Sequence, residues 1–205
     1  MGKIKTIIFD IGNVLVKFRW KEYLEDCGYN EEKAGKIADA TIKSNLWKEW
    51  DRGDLDDSVL IDKFCENHAD IDREIRKLFN DIDQLVREFD YSAGFIQRLK
   101  QEGYMVYLLS NYSKSHFEKS SRKFDFIRYV DGKLISYEVN HVKPEAAIYE
   151  ALIKKYNIEP SEAVFLDDLP ENLEGAKPFG FHTIQVKSYE QILQDLGKLG
   201  VNIQA

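Results

Sequence analysis

The stretch KIKTIIFDIGNVLV, residues 3–16, predicts a buried β-strand that ends in a carboxylate. A run of β-branched and aromatic residues at 6–9 leads directly to Asp10, without the alternation of a half-exposed strand. Gly12 follows two residues later, where the absence of a Cβ lets the chain turn away and permits a positive φ. The stretch therefore indicates the first strand of a sheet, with an acidic side chain at its carboxyl edge.

Three later apolar runs, at residues 104–110, 163–167 and 182–186, have the same character as the run at 4–9. Helical patterns separate the later runs, which is typical of consecutive β-α-β units. The expected fold is therefore α/β, with a doubly wound parallel sheet. Because ligands bind outside the carboxyl ends of the strands in such sheets, these ends predict the place of a functional site.

Strand patterns are missing between residues 17 and 90. Amphipathic spacing predicts helices at 31–50 and 56–66, and an apolar stripe at 75–89 extends the helical pattern. A helical segment of this length splits the α/β unit directly after its first strand. The chain is thus expected to consist of a helical domain, residues 17–90, inserted into a core that is formed by residues 1–16 and 91–205.

The composition of the 205 residues, 43% hydrophobic and 32% charged, is that of a soluble globular protein. No apolar stretch reaches the length that spans a bilayer, and the run after Lys3 and Lys5 is too short for a secretory signal. A net charge of -7 with scattered positive charges argues against nucleic-acid binding. We expect a cytoplasmic protein, monomeric or weakly homodimeric, without membrane or nucleic-acid partners.

Polar side chains stand at the predicted strand ends and at the start of one helix: Asp10, Ser110, Asn111, Lys143, Asp167 and Asp168. Taken singly, Asp10, the Ser110–Asn111 pair and Lys143 have ordinary explanations as turn, loop or helix-start residues. The adjacent acids Asp167 and Asp168 are a stronger signal, because a turn does not require their mutual repulsion. Three converging carboxylates, however, would repel one another unless cations compensate them. Mg²⁺ uses carboxylates, waters and a substrate phosphate as ligands. Together the residues predict a site that holds a phosphoryl group while a carboxylate attacks it.

Four stretches, FDIGNVLV, LLSN, KPEAAIY and VFLDDLPEN, resemble in this order the four motifs of the haloacid dehalogenase superfamily of phosphohydrolases. The helical segment after the first strand resembles the C1-type helical cap of that superfamily. The form D-x-G-N-V, together with the later LEGAKPFG, is similar to bacterial sugar-phosphate phosphatases of the α-D-glucose-1-phosphate phosphatase type. The resemblance covers essentially the whole chain.

The resemblance implies a Mg²⁺-dependent phosphatase that hydrolyses a small phosphorylated metabolite, a sugar phosphate such as glucose 1-phosphate. Asp10 would be the nucleophile that forms an aspartyl-phosphate. Ser110 and Asn111 would hold the phosphoryl oxygens, and Lys143 would pair with Asp10 and the phosphate. The implied metal ligands are Asp10, the backbone carbonyl of Gly12, Asp168 and Asp167.

Gly12 departs from the superfamily pattern, because most of its phosphatases carry there a second Asp that protonates the leaving group and activates water. Three interpretations stay open. The enzyme could use another acid or water, which suits a good leaving group such as an anomeric oxygen, since acid–base assistance is worth about 10²–10⁴-fold. It could be a 2-haloacid dehalogenase, or a non-catalytic regulatory protein that binds a phosphorylated ligand. The presence of Asp10 and Lys143 counts against the last. His116 and His141 are candidate replacement acids.

Trp20, Trp47 and Arg52 in the helical segment are the candidates for substrate recognition. Aromatic planes and an arginine are suited to cover a sugar ring or bind an anionic group. The alternative is that the tryptophans pack the inserted helices against one another.

Overall fold

The computed structural model describes residues 3–66 and 68–203. The strands in chain order are β1 (Thr6–Phe9), β2 (Val16–Phe18), β3 (Val86–Glu88), β4 (Met105–Ser110), β5 (Gly132–Ile135), β6 (Ala163–Asp167) and β7 (His182–Gln185). Five of them form a parallel sheet in the order β5-β4-β1-β6-β7, and β2 and β3 form a separate antiparallel pair. Strand β1 lies between β4 and β6, so that Phe9 is opposite both Leu108 and Leu166.

The helices of the chain are α1 (Trp20–Asp26), α2 (Glu31–Ala40), α3 (Asn45–Arg52), α4 (Asp57–Glu66), α5 (Asp72–Asn80), α6 (Ser92–Gln101), α7 (Lys114–Ser120), α8 (Ala146–Tyr156), α9 (Pro170–Ala176) and α10 (Tyr189–Lys198). In the described part of the chain, no helix combines the length and the apolar character needed to cross a membrane.

Successive residues of β1 point into two different apolar layers, as the alternation of a strand requires. Ile7 and Phe9 belong to a buried cluster that includes residues of α6 and α10. Ile8 belongs to a second cluster, which includes residues of α8 and α9. Helices therefore cover both faces of the sheet, and the predicted doubly wound α/β fold is confirmed.

Helices α1–α5, here called the helical insertion, lie between β2 and β3. They pack around a cluster of their own, whose fully buried members include Trp50, Leu60 and Phe64. The antiparallel pairing of β2 with β3 brings the two ends of the insertion together at its junction with the sheet. Phe18 packs against this cluster and also against the sheet cluster that contains Phe9.

Three details of the sequence prediction are wrong. The predicted helix at 31–50 is two helices, α2 and α3, with a turn between them. The apolar stripe at 75–89 is not one helix: α5 ends at Asn80, a 3-10 turn covers Ile82–Gln84, and β3 follows. The edge strand β5 was not expected, because GKLI is short and begins with a glycine. In the structure only its last two residues are buried.

Candidate active site

The carboxyl ends of the three central strands meet at one edge of the sheet and open onto a cavity of about 320 Å³. Asp10 follows β1, Ser110 ends β4, and Asp167 ends β6 beside Asp168. Lys143 reaches the same place from the loop between β5 and α8. The cavity is lined by Asp10, Gly12, Asn13, Phe18, Trp47, Asp51, Ser110, Asn111, Tyr112, His116, Lys143, Asp168, Leu169 and Asn172.

Asp10 is buried, with 7% of its surface exposed. Ser110 Oγ donates a hydrogen bond of 2.6 Å to Asp10 Oδ1, and Lys143 Nζ lies 2.8 Å from the same oxygen. Burial raises the pKa of Asp10 to about 7, an effect that Lys143 opposes and Asp167 reinforces. Since both neighbours hold Oδ1, Oδ2 is the oxygen that Asp10 can offer to an electrophile or a cation.

Lys143 is buried between two carboxylates, with Nζ also 2.6 Å from Asp167 Oδ2. Burial by itself would lower the pKa of Lys143, but the charges of Asp10 and Asp167 outweigh it and raise that pKa. The Asn111 side chain holds the lysine backbone: the Lys143 amide donates to Oδ1 at 2.8 Å, and Nδ2 donates to the Lys143 carbonyl at 3.1 Å. What Asn111 can offer to a ligand is therefore its backbone N–H.

Asp167 and Asp168 are adjacent in the chain but have different surroundings. Asp167 accepts hydrogen bonds from the Leu169 amide at 2.9 Å and from Asn172 Nδ2 at 3.0 and 3.1 Å, in addition to its contact with Lys143. Asp168 is half-buried at the cavity wall and accepts from Asn13 Nδ2 at 3.0 Å. Burial raises the pKa of Asp168, and the Asn13 hydrogen bond opposes this.

These carboxylates have the chemistry of a site for a hard divalent cation. Asp10, Asp167 and Asp168 each place an oxygen within 4.8 Å of the others. When the three are ionised, one ammonium, that of Lys143, leaves two negative charges without compensation. Carboxylate oxygens at this density fit Mg²⁺, and a dication would balance the remaining charge.

Gly12 lines the cavity, but its backbone does not need a glycine. Its φ lies outside the left-handed region, and a Cβ added there would meet no atom within 4 Å. Asn13 takes the left-handed conformation instead, with a φ of 52°. The positive φ that a glycine permits is therefore taken by Asn13 and not by Gly12. The missing side chain leaves open space in the cavity.

The helical insertion contributes Trp47 and Asp51 to the cavity, both from α3. Trp47 packs edge-on against Trp50 and against His116. Trp20 and Arg52 do not belong to the lining. Trp20 lies beneath the ammonium groups of Lys21 and Lys43, and Arg52 forms an ion pair with Glu145.

The two histidines proposed as replacement acids do not suit that role. His116 lines the cavity, but burial lowers its pKa to about 3, so the ring is neutral near pH 7. His141 lies outside the lining with an exposed side chain, and its Nδ1 is 3.5 Å from Glu145 Oε2.

Six cavity residues were missed by reasoning from the sequence: Asn13, Phe18, Asp51, Tyr112, Leu169 and Asn172. Asn13 and Asn172 lie inside the quoted stretches FDIGNVLV and VFLDDLPEN, where an amide beside the acidic residues was an available signal. Tyr112 follows the predicted strand end by two residues. Asp51 carries no signal of this kind, because nothing in the stretch WKEWDRGDLDD distinguishes it from the other acidic residues there.

Comparison with known proteins agrees with this architecture. The model of the haloacid dehalogenase-like hydrolase family matches residues 4–180. A D-ribitol-5-phosphate phosphatase of Bacteroides thetaiotaomicron is 29% identical over 210 residues, covering 94% of this chain and 97% of that protein.

Two solved structures show the same fold. A magnesium complex of a haloacid dehalogenase family enzyme from Bacteroides thetaiotaomicron superposes with a TM-score of 0.70 at 25% identity, over 92% of this chain and 96% of that one. L-2-haloacid dehalogenase from Xanthobacter autotrophicus gives 0.69 at 16% identity, over 97% and 84%. On the extent of the family match, this chain belongs to the haloacid dehalogenase-like hydrolases.

Proposed function

We propose that this protein is a Mg²⁺-dependent phosphatase that hydrolyses a small phosphomonoester through an aspartyl-phosphate on Asp10. The observation that carries the proposal is the arrangement around Asp10: Ser110 and Lys143 fix Oδ1, while the acidic group with Asp168 lies alongside. A carboxylate held in this way is a positioned nucleophile. The full-length relative that is named a D-ribitol-5-phosphate phosphatase supports the same reaction class.

The chain's own residues account for the covalent steps. Asp10 Oδ2 attacks phosphorus, the bond to the leaving oxygen breaks, and the phosphoryl group becomes attached to Asp10. A water oxygen then attacks the same phosphorus, which releases inorganic phosphate and restores the carboxylate. The Lys143 ammonium and the Asn111 backbone N–H would hold the equatorial oxygens as their charge changes. The Ser110 hydroxyl would join them by turning its single O–H from Asp10 Oδ1 to the phosphoryl group.

Asp10, Asp168 and the Gly12 carbonyl are the groups that would hold Mg²⁺, since all three residues line the cavity. Asp167 would act beside them by keeping Lys143 in place, because its oxygens are already used by Lys143, Leu169 and Asn172. When bound, Mg²⁺ offsets charge on the phosphoryl oxygens and on the carboxylates. The magnesium complex of the structural relative supports this assignment.

We propose a sugar or sugar-alcohol phosphate as the substrate class. The cavity volume of about 320 Å³ suits a small metabolite. Phe18, Trp47 and Tyr112 in its wall offer aromatic surfaces against which the C–H groups of a polyol can pack. Glucose 1-phosphate, from the motif resemblance, and ribitol 5-phosphate, from the named relative, are the two compounds to test first.

We further propose that the helical insertion acts as a cap over the site, with the domain boundaries at residues 17 and 90. The separate apolar cluster of the insertion and the cavity residues that α3 supplies support this division. The β2–β3 pair stands at the junction.

A phosphatase screen tests the proposal. Purified protein is incubated with glucose 1-phosphate, ribitol 5-phosphate, glucose 6-phosphate and p-nitrophenyl phosphate, with Mg²⁺ or with EDTA. We expect phosphate release with Mg²⁺ and its loss with EDTA. No release from any compound would contradict the proposal, and chloride release from a 2-haloacid would point to the dehalogenase interpretation instead.

A further inference from the structure

The cavity wall opposite the sheet edge carries one acidic side chain from the helical insertion, Asp51. It lies in the last turn of α3 and lines the same cavity as Asp10 and Gly12. Among the described residues, the other carboxyl groups of this lining are Asp10 and Asp168, which belong to the nucleophile and metal group. Asp51 is thus the carboxyl group of the cavity that is left without a role.

The backbone around Asp51 is fixed to the α/β core. Ser136 Oγ donates a hydrogen bond of 2.5 Å to the Asp51 carbonyl. The next residue, Arg52, forms a two-pronged ion pair with Glu145, with Nη1 2.8 Å from Oε2. Asn140 Nδ2 donates to the Arg52 carbonyl at 3.3 Å. These contacts hold the end of α3 at the mouth of the site.

Gly12 offers no side chain for proton transfer, and the space beside it is open. We propose that Asp51 is the general acid and base of this enzyme, acting on the leaving oxygen and on the attacking water from the side of the insertion. The assignment rests on the proposed phosphatase function, because it needs a leaving oxygen to protonate.

The protonation state of Asp51 suits this task. Burial raises the pKa of Asp51 to about 8, against a lowering by the Ser113 backbone amide, while the charge of Asp10 raises it further and that of Lys143 lowers it. The carboxyl group is therefore largely protonated near pH 7, as a general acid must be before the first step. His116, neutral at this pH, has no proton of comparable acidity to give.

The two steps balance with Asp51 as the proton carrier. As Asp10 Oδ2 bonds to phosphorus, the electron pair of the breaking P–O bond goes to the leaving oxygen, which takes the Asp51 proton and departs as an alcohol. In the second step the Asp51 carboxylate takes a proton from the water that attacks phosphorus. The Asp10–phosphoryl bond breaks, inorganic phosphate leaves, and Asp51 is protonated again.

This assignment changes the expected substrate range. Without a proton donor, hydrolysis would favour good leaving groups such as an anomeric or aryl oxygen. With Asp51 as the donor, a primary alkyl oxygen, as in ribitol 5-phosphate or glucose 6-phosphate, also becomes a leaving group that the site can serve.

The test compares Asp51→Asn with the wild type on two classes of substrate. The value of kcat/KM reports the steps up to release of the alcohol, so it isolates the first proton transfer. We expect kcat/KM for ribitol 5-phosphate to fall by about 10²–10⁴-fold, and that for p-nitrophenyl phosphate by less than about tenfold. Asp54→Asn, the same change at an exposed residue three positions on, should leave both values unchanged.

Thermal melting establishes that Asp51→Asn is folded, and Asp51→Glu provides a second variant, expected to retain more of the alkyl-phosphate activity than Asp51→Asn. An equal loss on both substrate classes, or no loss on either, from a folded Asp51→Asn would overturn the assignment while leaving the phosphatase function standing. A wild type inactive on every phosphate would overturn the proposed function and this assignment with it.

Discussion

Lys143 Nζ lies 2.6 Å from Asp167 Oδ2, and both side chains are shielded from water. Asp167 is in turn held by the Leu169 amide and the Asn172 side chain, so it cannot follow the lysine if the lysine moves. The pair therefore fixes an ammonium group beside Asp10 before any substrate enters. A buried ion pair contributes little net stability by itself. Removing one partner, however, leaves the other charge buried without a counter-charge, which is strongly destabilising.

Replacement of Lys143 by Met should show this cost. Lys143→Met removes the ammonium and leaves Asp10 and Asp167 buried without a counter-charge, so we expect the free energy of unfolding at pH 7 to fall by about 3–5 kcal/mol. Urea denaturation measures the change. Lys198→Met, which removes an exposed partner of Asp195, should cost less than about 1 kcal/mol. Equal effects of the two variants would contradict the role given to the buried pair.

Asp10→Asn should abolish turnover without unfolding the protein. The amide has nearly the volume of the carboxylate but is neutral and a poor nucleophile, so we expect kcat to fall on the order of 10³-fold or more. Phosphate release and the thermal midpoint are measured on the same sample. Wild-type rates from a folded Asp10→Asn protein would rule out covalent catalysis by this residue.

Asp168→Asn should weaken metal dependence more than it weakens the fold. Asp168 faces the cavity, and its carboxylate is one of three whose oxygens lie within 4.8 Å of one another. We expect the Mg²⁺ concentration for half-maximal activity to rise by about tenfold or more. A Mg²⁺ titration after EDTA treatment and dialysis measures it. Asp39→Asn, at an exposed residue of α2, is the control and should titrate like the wild type.

His116 should make the protein less stable as the pH falls. Burial lowers the pKa of His116 from an ordinary 6.5 to about 3. Between these two pH values the unfolded chain therefore binds a proton that the folded protein does not bind. The stability linked to His116 is complete above pH 6.5 and is lost between that pH and about 3, at up to about 1.4 kcal/mol per pH unit. Urea denaturation at pH 7 and pH 5 should show a smaller drop for His116→Gln than for the wild type. Identical drops in the free energy of unfolding for the two proteins would show that the His116 ring is in contact with water in the folded protein.

The sheet was predictable where its strands are apolar on both faces. The runs that became β1, β4 and β6 are continuous, because helices cover both sides of each strand. Strand β3 was not predictable, since Val86 continues the helical spacing of Ile75 and Phe79. It becomes part of a strand only by pairing with β2, about seventy residues earlier. β5, a short edge strand, carries too little apolar sequence to be distinguished from a loop.

The candidate active site was likewise predictable from the sequence only in part. Asp10, Ser110 and the Asp167–Asp168 pair were predictable as neighbours, because parallel strands place their carboxyl ends at one edge. The position of Asp51 depends on how the helical insertion packs against the α/β core. Asp51 contacts Ser136, 85 residues later in the sequence, and Arg52 contacts Glu145, 93 residues later. No local pattern encodes contacts at that separation.

Gly12→Asp provides the final prediction, because the position can accept a side chain. Its φ is ordinary and a Cβ there meets nothing within 4 Å, so we expect the variant to fold with a change in stability within about 0.5 kcal/mol. A carboxyl group at residue 12 would stand beside Asp10 and could take over proton transfer. In the Asp51→Asn background, Gly12→Asp should therefore raise kcat/KM for ribitol 5-phosphate by at least about tenfold, and Gly12→Asn, which fills the same space without a transferable proton, should not. A rescue by both substitutions would trace the loss in Asp51→Asn to cavity shape, and a rescue by neither would show that residue 12 is out of reach of the leaving oxygen.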